Sequence, residues 1–131
     1  MAERVRVLHV ANFATRLGGG EESLLALVRG LDRRRFAPHV VVPGEGDVAA
    51  ELRPDSIPVT VLAFPPLRPW TVVSVLSALR DLRACIGTLG IGLVHAHGSR
   101  AAFYAGVVVR RARVPLVWHV RIVERDPLLD G

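Results

Sequence analysis

Val5-Arg6-Val7-Leu8-His9-Val10-Ala11 is a nearly continuous apolar run. It is followed by a polar stretch, residues 12–20, that ends in Gly18-Gly19-Gly20. Glu21 to Leu31 comes next, with Leu24, Leu27, Val28 and Leu31 at helical spacing. A short apolar run of this kind marks a strand buried on both faces. The spacing of the leucines marks an amphipathic helix, and the acids of its first turn suit the positive end of the helix dipole. Strand, glycine loop and helix in that order are the opening unit of a parallel α/β sheet.

The same alternation continues along the chain. His39 to Val42 reads as a second strand, enclosed by Pro38 and Pro43, and Gly46 to Arg53 as a short helix. Val59 to Ala63 reads as a third strand. The proline-rich stretch Phe64 to Pro69 must be a loop. Trp70 to Leu89 carries Val75, Leu79, Leu82, Ile86 and Leu89 on one helical face. Leu93 to Ala96 is a fourth strand, Ser99 to Arg111 a helix with Ser99 as its N-cap, and Leu116 to Val120 a fifth strand. Right-handed crossovers turn this order into a Rossmann-like, doubly wound parallel sheet of about five strands with helices on both faces. Residues 1–131 are expected to form one such domain.

Composition narrows the function classes. Half of the 131 residues are hydrophobic and 22% are charged, enough apolar mass for one core and too much for a disordered chain. A single cysteine, Cys85, excludes a disulfide scaffold. Seventeen basic residues against twelve acidic ones give a net charge of +5, and every basic residue is arginine. Without lysine, neither a Schiff base nor a P-loop lysine is available. Nucleic-acid binding calls for exposed aromatics among the cations, and at 5% aromatics this reading is poor. Trp70 and Trp118 read as packing residues, and Arg33-Arg34-Arg35 as a solvated helix end. Met1-Ala2-Glu3-Arg4 lacks the basic region of a signal peptide, and the longest apolar run, 101–109, is too short to span a bilayer. The chain is expected to be soluble and cytoplasmic. Its arginine surplus suits contact with acidic lipid or phosphate at the inner face of the membrane.

Ligands of doubly wound sheets sit outside the carboxyl ends of the strands. That rule selects three loops: Asn12 to Gly20, His97 to Arg100, and His119 to Asp126. Gly18, Gly19 and Gly20, followed by Glu21, open the first helix, where backbone amides and the helix end make an anion site. Six residues separate strand one from these glycines, which weakens a dinucleotide reading. His95 and His97 share a face of strand four, and strand five brings His119 and Arg121 alongside. Three histidines could ligate zinc, but no acid or cysteine is paired with them, so no metal is expected.

The order and spacing of these segments resemble the amino-terminal, acceptor-side domain of GT-B-fold glycosyltransferases of family 4. The resemblance rests on Gly19-Gly20-Glu21, on Leu31-Asp32 and Phe36 through Val40, on Leu93-Val94-His95-Ala96-His97, and on Val114 through His119. It implies retaining transfer of a sugar from a nucleotide-diphospho-sugar donor to an acceptor, without a further cofactor. A second Rossmann domain, absent from these residues, would hold most of the donor with its acidic motif, so these residues alone should be inactive. Gly18 to Glu21 would close over the donor diphosphate. His97, Ser99 and Arg100 would face the acceptor, a lipid, glycan or small molecule. A residue ending strand five, often histidine, would lie near the transferred sugar; Arg121 stands there, with His119 two residues earlier. Two other functions fit the same fold: a non-catalytic module binding nucleotide or phosphate, and a dinucleotide-dependent oxidoreductase domain, for which Pro43-Gly44-Glu45 is a marginal acid site.

Overall fold

Among the described residues five strands each lie parallel to their neighbours, in the order β3 (Val59–Val61), β2 (Phe36–Val42), β1 (Val5–Ala11), β4 (Leu93–His97) and β5 (Leu116–Trp118). The computed structural model describes residues 4–13 and 19–118. The elements are β1 (Val5–Ala11), α1 (Gly19–Gly30), β2 (Phe36–Val42), α2 (Asp47–Leu52), β3 (Val59–Val61), α3 (Val72–Leu89), β4 (Leu93–His97), α4 (Ser99–Ala112) and β5 (Leu116–Trp118). Short 3-10 turns, Arg53–Asp55 and Pro69–Thr71, follow α2 and precede α3. The chain winds from β1 outward to β3, then crosses back to place β4 on the other side of β1. The direction of winding therefore reverses between β1 and β4.

Strand alternation sends neighbouring residues to opposite faces of the sheet. Leu8 and Val10 of β1, Val41 of β2 and Val94 and Ala96 of β4 pack under α3 and α4, against Leu82, Ile86, Ala101, Tyr104 and Ala105. Ala11, Val40 and Val42 face the other way, against Leu24, Leu25 and Val28 of α1 and Val48, Ala49 and Leu52 of α2. Helices thus cover both faces, as the order of elements predicts.

Three local expectations are corrected. β2 begins at Phe36 rather than after Pro38. Proline cannot donate to a ladder, but the bonds from β2 to β3 start only at Val40, whose amide donates to the Pro58 carbonyl at 3.0 Å. Pro38 lies before β3 is reached, while its other side still pairs with β1 opposite Val7. Trp70 is not part of the long helix and does not pack: it sits in the Pro69–Thr71 turn and is 79% exposed. Trp118 is also exposed. The third correction concerns the start of α4. Its N-cap is Gly98, and Ser99 is the first helical residue.

The proline-rich loop is anchored at both ends. The Tyr104 hydroxyl donates to the Pro65 carbonyl, and the buried Tyr104 ring stacks on Phe64 with centroids 4.8 Å apart. Thr71 Oγ1 donates to the Pro66 carbonyl at 2.7 Å and also accepts from the Arg68 amide at 2.9 Å. These contacts hold the start of α3 beside the first turns of α4.

Candidate functional site at the winding reversal

The carboxyl ends of β1 and β4 lie side by side, with Ala11 in register with His97. In sheets of this topology the crevice between two such ends receives the ligand. Two helices start there. Gly19 opens α1 after β1, and Ser99 opens α4 immediately after β4. Their first amides lack partners within their own helices, and both dipoles present their positive ends to the crevice.

Asn12 fixes the geometry. Its Oδ1 accepts the Ala101 amide at 3.0 Å. That amide is the third of α4, so a side chain 89 residues away in sequence caps the helix. The contact depends on Gly98, which has φ +136°; a Cβ there would lie 2.5 Å from Asn12 Cγ. The loop after β1 and the start of α4 are thereby locked together.

Beneath this edge lie three histidine rings. His9 is in register with His95, and β4 carries His97 two residues on. All three side chains share the parity of Ala11, the face covered by α1. The His9 and His95 centroids are 5.4 Å apart, and those of His95 and His97 are 4.2 Å apart and stacked. His9 Nδ1 and His97 Nε2 are 3.2 Å apart, one donating and the other accepting. Both residues are buried. The candidate metal-binding atoms of the three rings lie within 4.8 Å of one another. Lone pairs lie in the ring planes, and the stacked His95 and His97 rings, 4.2 Å and 17° apart, hold theirs in two separate, nearly parallel planes. Among the described residues no carboxylate or thiolate joins the group. The arrangement suits a shared proton better than a dication.

Burial, reinforced by the neighbouring His95, lowers the His9 pKa from 6.5 to about 4. The folded state therefore keeps His9 neutral where the unfolded chain binds a proton. Stability is complete above about pH 6.5 and falls as the pH drops toward 4. The expected loss from His9 is about 2 kcal/mol by pH 5. Urea titrations at pH 7.5 and pH 5 measure it. His9→Gln should reduce the difference, and an undiminished pH dependence would assign it to other groups. His39, half-buried on β2 and bonded to Thr60 Oγ1 at 2.7 Å, is shifted the same way by burial and acts in the same direction.

Gly19, Gly20 and Glu21 begin α1 at the carboxyl edge, and His97, Ser99 and Arg100 stand at the same edge at the end of β4 and the start of α4. His97 is 6% exposed with its ring turned to His9, whereas Ser99 and Arg100 are half-buried. Gly18, His119 and Arg121 lie outside the described residues. His9 and Asn12 escape a reading of the sequence. His9 sits inside an apolar run, and it meets His95 only once β1 is known to pair with β4.

This fold, with two helix starts at its reversal point, defines a Rossmann-like domain built to present a ligand edge. The chain belongs to glycosyltransferase family 4, whose sequence pattern matches residues 17–125. No curated protein matches it significantly by sequence. Among solved structures it is similar to a glycosyltransferase from Rickettsia africae, with a TM-score of 0.78 and 16% identity over 96% of this chain and 32% of that one. Anabaena HepE in complex with UDP gives a TM-score of 0.73 and 20% identity over 92% and 30% of the two chains. Acinetobacter baumannii MurG gives 0.71 and 19% over 88% and 34%. The chain thus spans about a third of the length of these GT-B neighbours.

Proposed function

We propose that this chain is the acceptor-side domain of a two-domain, retaining glycosyltransferase that moves a sugar from a nucleotide-diphospho-sugar to an acceptor. The observation that carries the reading is the pair of helix starts at Gly19 and Ser99 flanking the β1–β4 reversal in a member of this family. HepE has been crystallised with UDP and with UDP-glucose, which favours a nucleotide-sugar donor here. The second domain would hold most of the donor. Gly18 to Glu21 would close over its diphosphate through backbone amides, which tolerate close approach because glycine carries no side chain. Arg121 would stabilise charge on the leaving phosphate with a guanidinium fork, with His119 beside it. No metal is required in this scheme, because fixed amides and arginine neutralise the developing charge.

Ser99 and Arg100 offer the polar groups on the acceptor side. His97, with its ring engaged by His9, is a positioning residue that fixes the end of β4. The alternative of a non-catalytic nucleotide- or phosphate-binding module would use the same helix starts without turnover.

Gly20→Val in the full-length enzyme tests the proposal. The branched side chain would crowd the diphosphate path, so turnover should fall at least about tenfold while the thermal melt stays within a few degrees of wild type. Unchanged steady-state kinetics in a folded Gly20→Val enzyme would remove the glycine loop from the donor site.

A further inference from the structure

The amino ends of the strands form the edge opposite the crevice, and arginine gathers there. Arg4 and Arg6 open β1, and Arg33, Arg34 and Arg35 lead into β2. Arg110 and Arg111 stand in the last turn of α4, and Arg113 leads on toward β5. All eight arginines are exposed. Hydrogen bonds join these segments into one band. Arg4 donates to the Arg33 carbonyl at 3.2 Å, and the Val5 amide to the Arg35 carbonyl at 2.8 Å. Arg6 donates to the Leu89 carbonyl at the end of α3 at 2.6 Å, and its own carbonyl accepts the Gly92 amide at 2.8 Å. The Val94 amide donates to the Pro115 carbonyl at 3.0 Å, which brings the entrance of β5 alongside.

Acids do not offset this charge. Among the described residues these entrances carry one acid, Asp32, which lies 3.4 Å from the Arg34 guanidinium. On the β3 side, Glu51 and Asp55 are each engaged by Arg29 at 2.8 Å. Arg33, Arg35 and the three arginines at the end of α4 form no ion pair among the described residues. Helix dipoles account for only part of the surplus. α1, α3 and α4 end at this edge. Each presents the equivalent of about half a negative charge there, so one or two cations would balance them.

We propose that this arginine band docks an extended, acidic segment of a partner protein. A guanidinium fork meets a carboxylate with two parallel hydrogen bonds. The entrances of β2, β1, β4 and β5 follow one another about 5 Å apart, and the resulting width of about 15 Å is the length of about five extended residues. A bilayer is a poorer occupant. Among the described residues no helix is long and apolar enough to cross a membrane, and Val5 is the one large apolar side chain exposed at these entrances. Single-stranded nucleic acid would call for exposed aromatics, but Trp70 and Trp118 lie toward the opposite edge. Docking here would leave the β1–β4 crevice open, and the inference does not rest on the glycosyltransferase reading.

Fluorescence anisotropy with a fluorescein-labelled octaglutamate peptide tests it. The full-length protein should bind the peptide, more weakly as salt is raised. Arg33→Gln combined with Arg34→Gln and Arg35→Gln should weaken binding at least about tenfold, as should Arg110→Gln combined with Arg111→Gln and Arg113→Gln. Arg68→Gln combined with Arg80→Gln removes charge away from the band and should change affinity less than about twofold. All these side chains are exposed, so thermal melts should stay near wild type. A benzophenone at the end of the peptide should cross-link the wild-type protein at residues 4–6, 33–35 or 110–113, a readout independent of the variants. Absence of peptide binding, wild-type binding by either triple variant, equal weakening by the Arg68 and Arg80 double variant, or cross-links confined to the carboxyl edge would overturn the proposal. So would tighter binding of phosphatidylglycerol vesicles or duplex DNA through the same arginines.

Discussion

Gly98→Val should destabilise the domain by about 3–4 kcal/mol, more than any other single change at the candidate site. Two costs combine. The backbone at Gly98 has φ +136° and ψ 170°, a region that residues with a Cβ avoid. The new Cβ would also lie 2.5 Å from Asn12 Cγ, so Asn12 must move and release the Ala101 amide. Loss of such a cap costs about 1 kcal/mol by itself. Asn12→Ala therefore isolates the cap, and Gly98→Ala combined with Asn12→Gly relieves the collision while keeping the backbone strain. Urea unfolding of the four proteins separates the contributions. A Gly98→Val domain as stable as wild type would show that the β4–α4 junction does not need its glycine.

Arg121→Ala should lower the catalytic efficiency of the full-length enzyme by roughly ten- to a hundredfold. A charge-assisted hydrogen bond to phosphate is worth on the order of 1.5–3 kcal/mol, and the proposed transfer leaves a nucleoside diphosphate whose charge must be met as the glycosidic bond breaks. Arg121→Lys should restore only part of the loss, because an ammonium lacks the two-pronged geometry. If Arg121 instead pairs with Glu124 or Asp126 on the surface, its removal should change little. Wild-type efficiency in Arg121→Ala, with a normal melt, would support that surface pair and exclude the catalytic role.

Much of the architecture is legible in the sequence. The apolar run of β1 and the 3.6-residue spacing of α1, α3 and α4 are local patterns, and local patterns survive folding. Alternation of strands and helices then leads to a parallel sheet, and the carboxyl-end rule to the right edge. What escapes depends on contacts distant in sequence. Ser99 is a good local candidate for a helix cap, but Asn12, 89 residues from the amide it meets, performs that function because β1 and β4 are neighbours. His9 looks like one polar interruption in a strand; only the same pairing turns it into a member of a histidine cluster. Pro38 looks like a strand boundary, yet it is tolerated because β3 has not begun at its level. Trp70 illustrates the opposite error. Size and hydrophobicity favour burial on average, but among the described residues nothing covers the turn where it sits.

The anomeric configuration of the product tests the central claim most directly. The full-length protein would be incubated with UDP-glucose and other nucleotide-diphospho-sugars and an acceptor preparation, and the first product followed by proton NMR. The account predicts a glycoside with the same anomeric configuration as the donor, together with release of the nucleoside diphosphate. A product of inverted configuration would contradict the retaining mechanism. Tight nucleotide-sugar binding without transfer to any acceptor would contradict the transferase reading and favour a binding module.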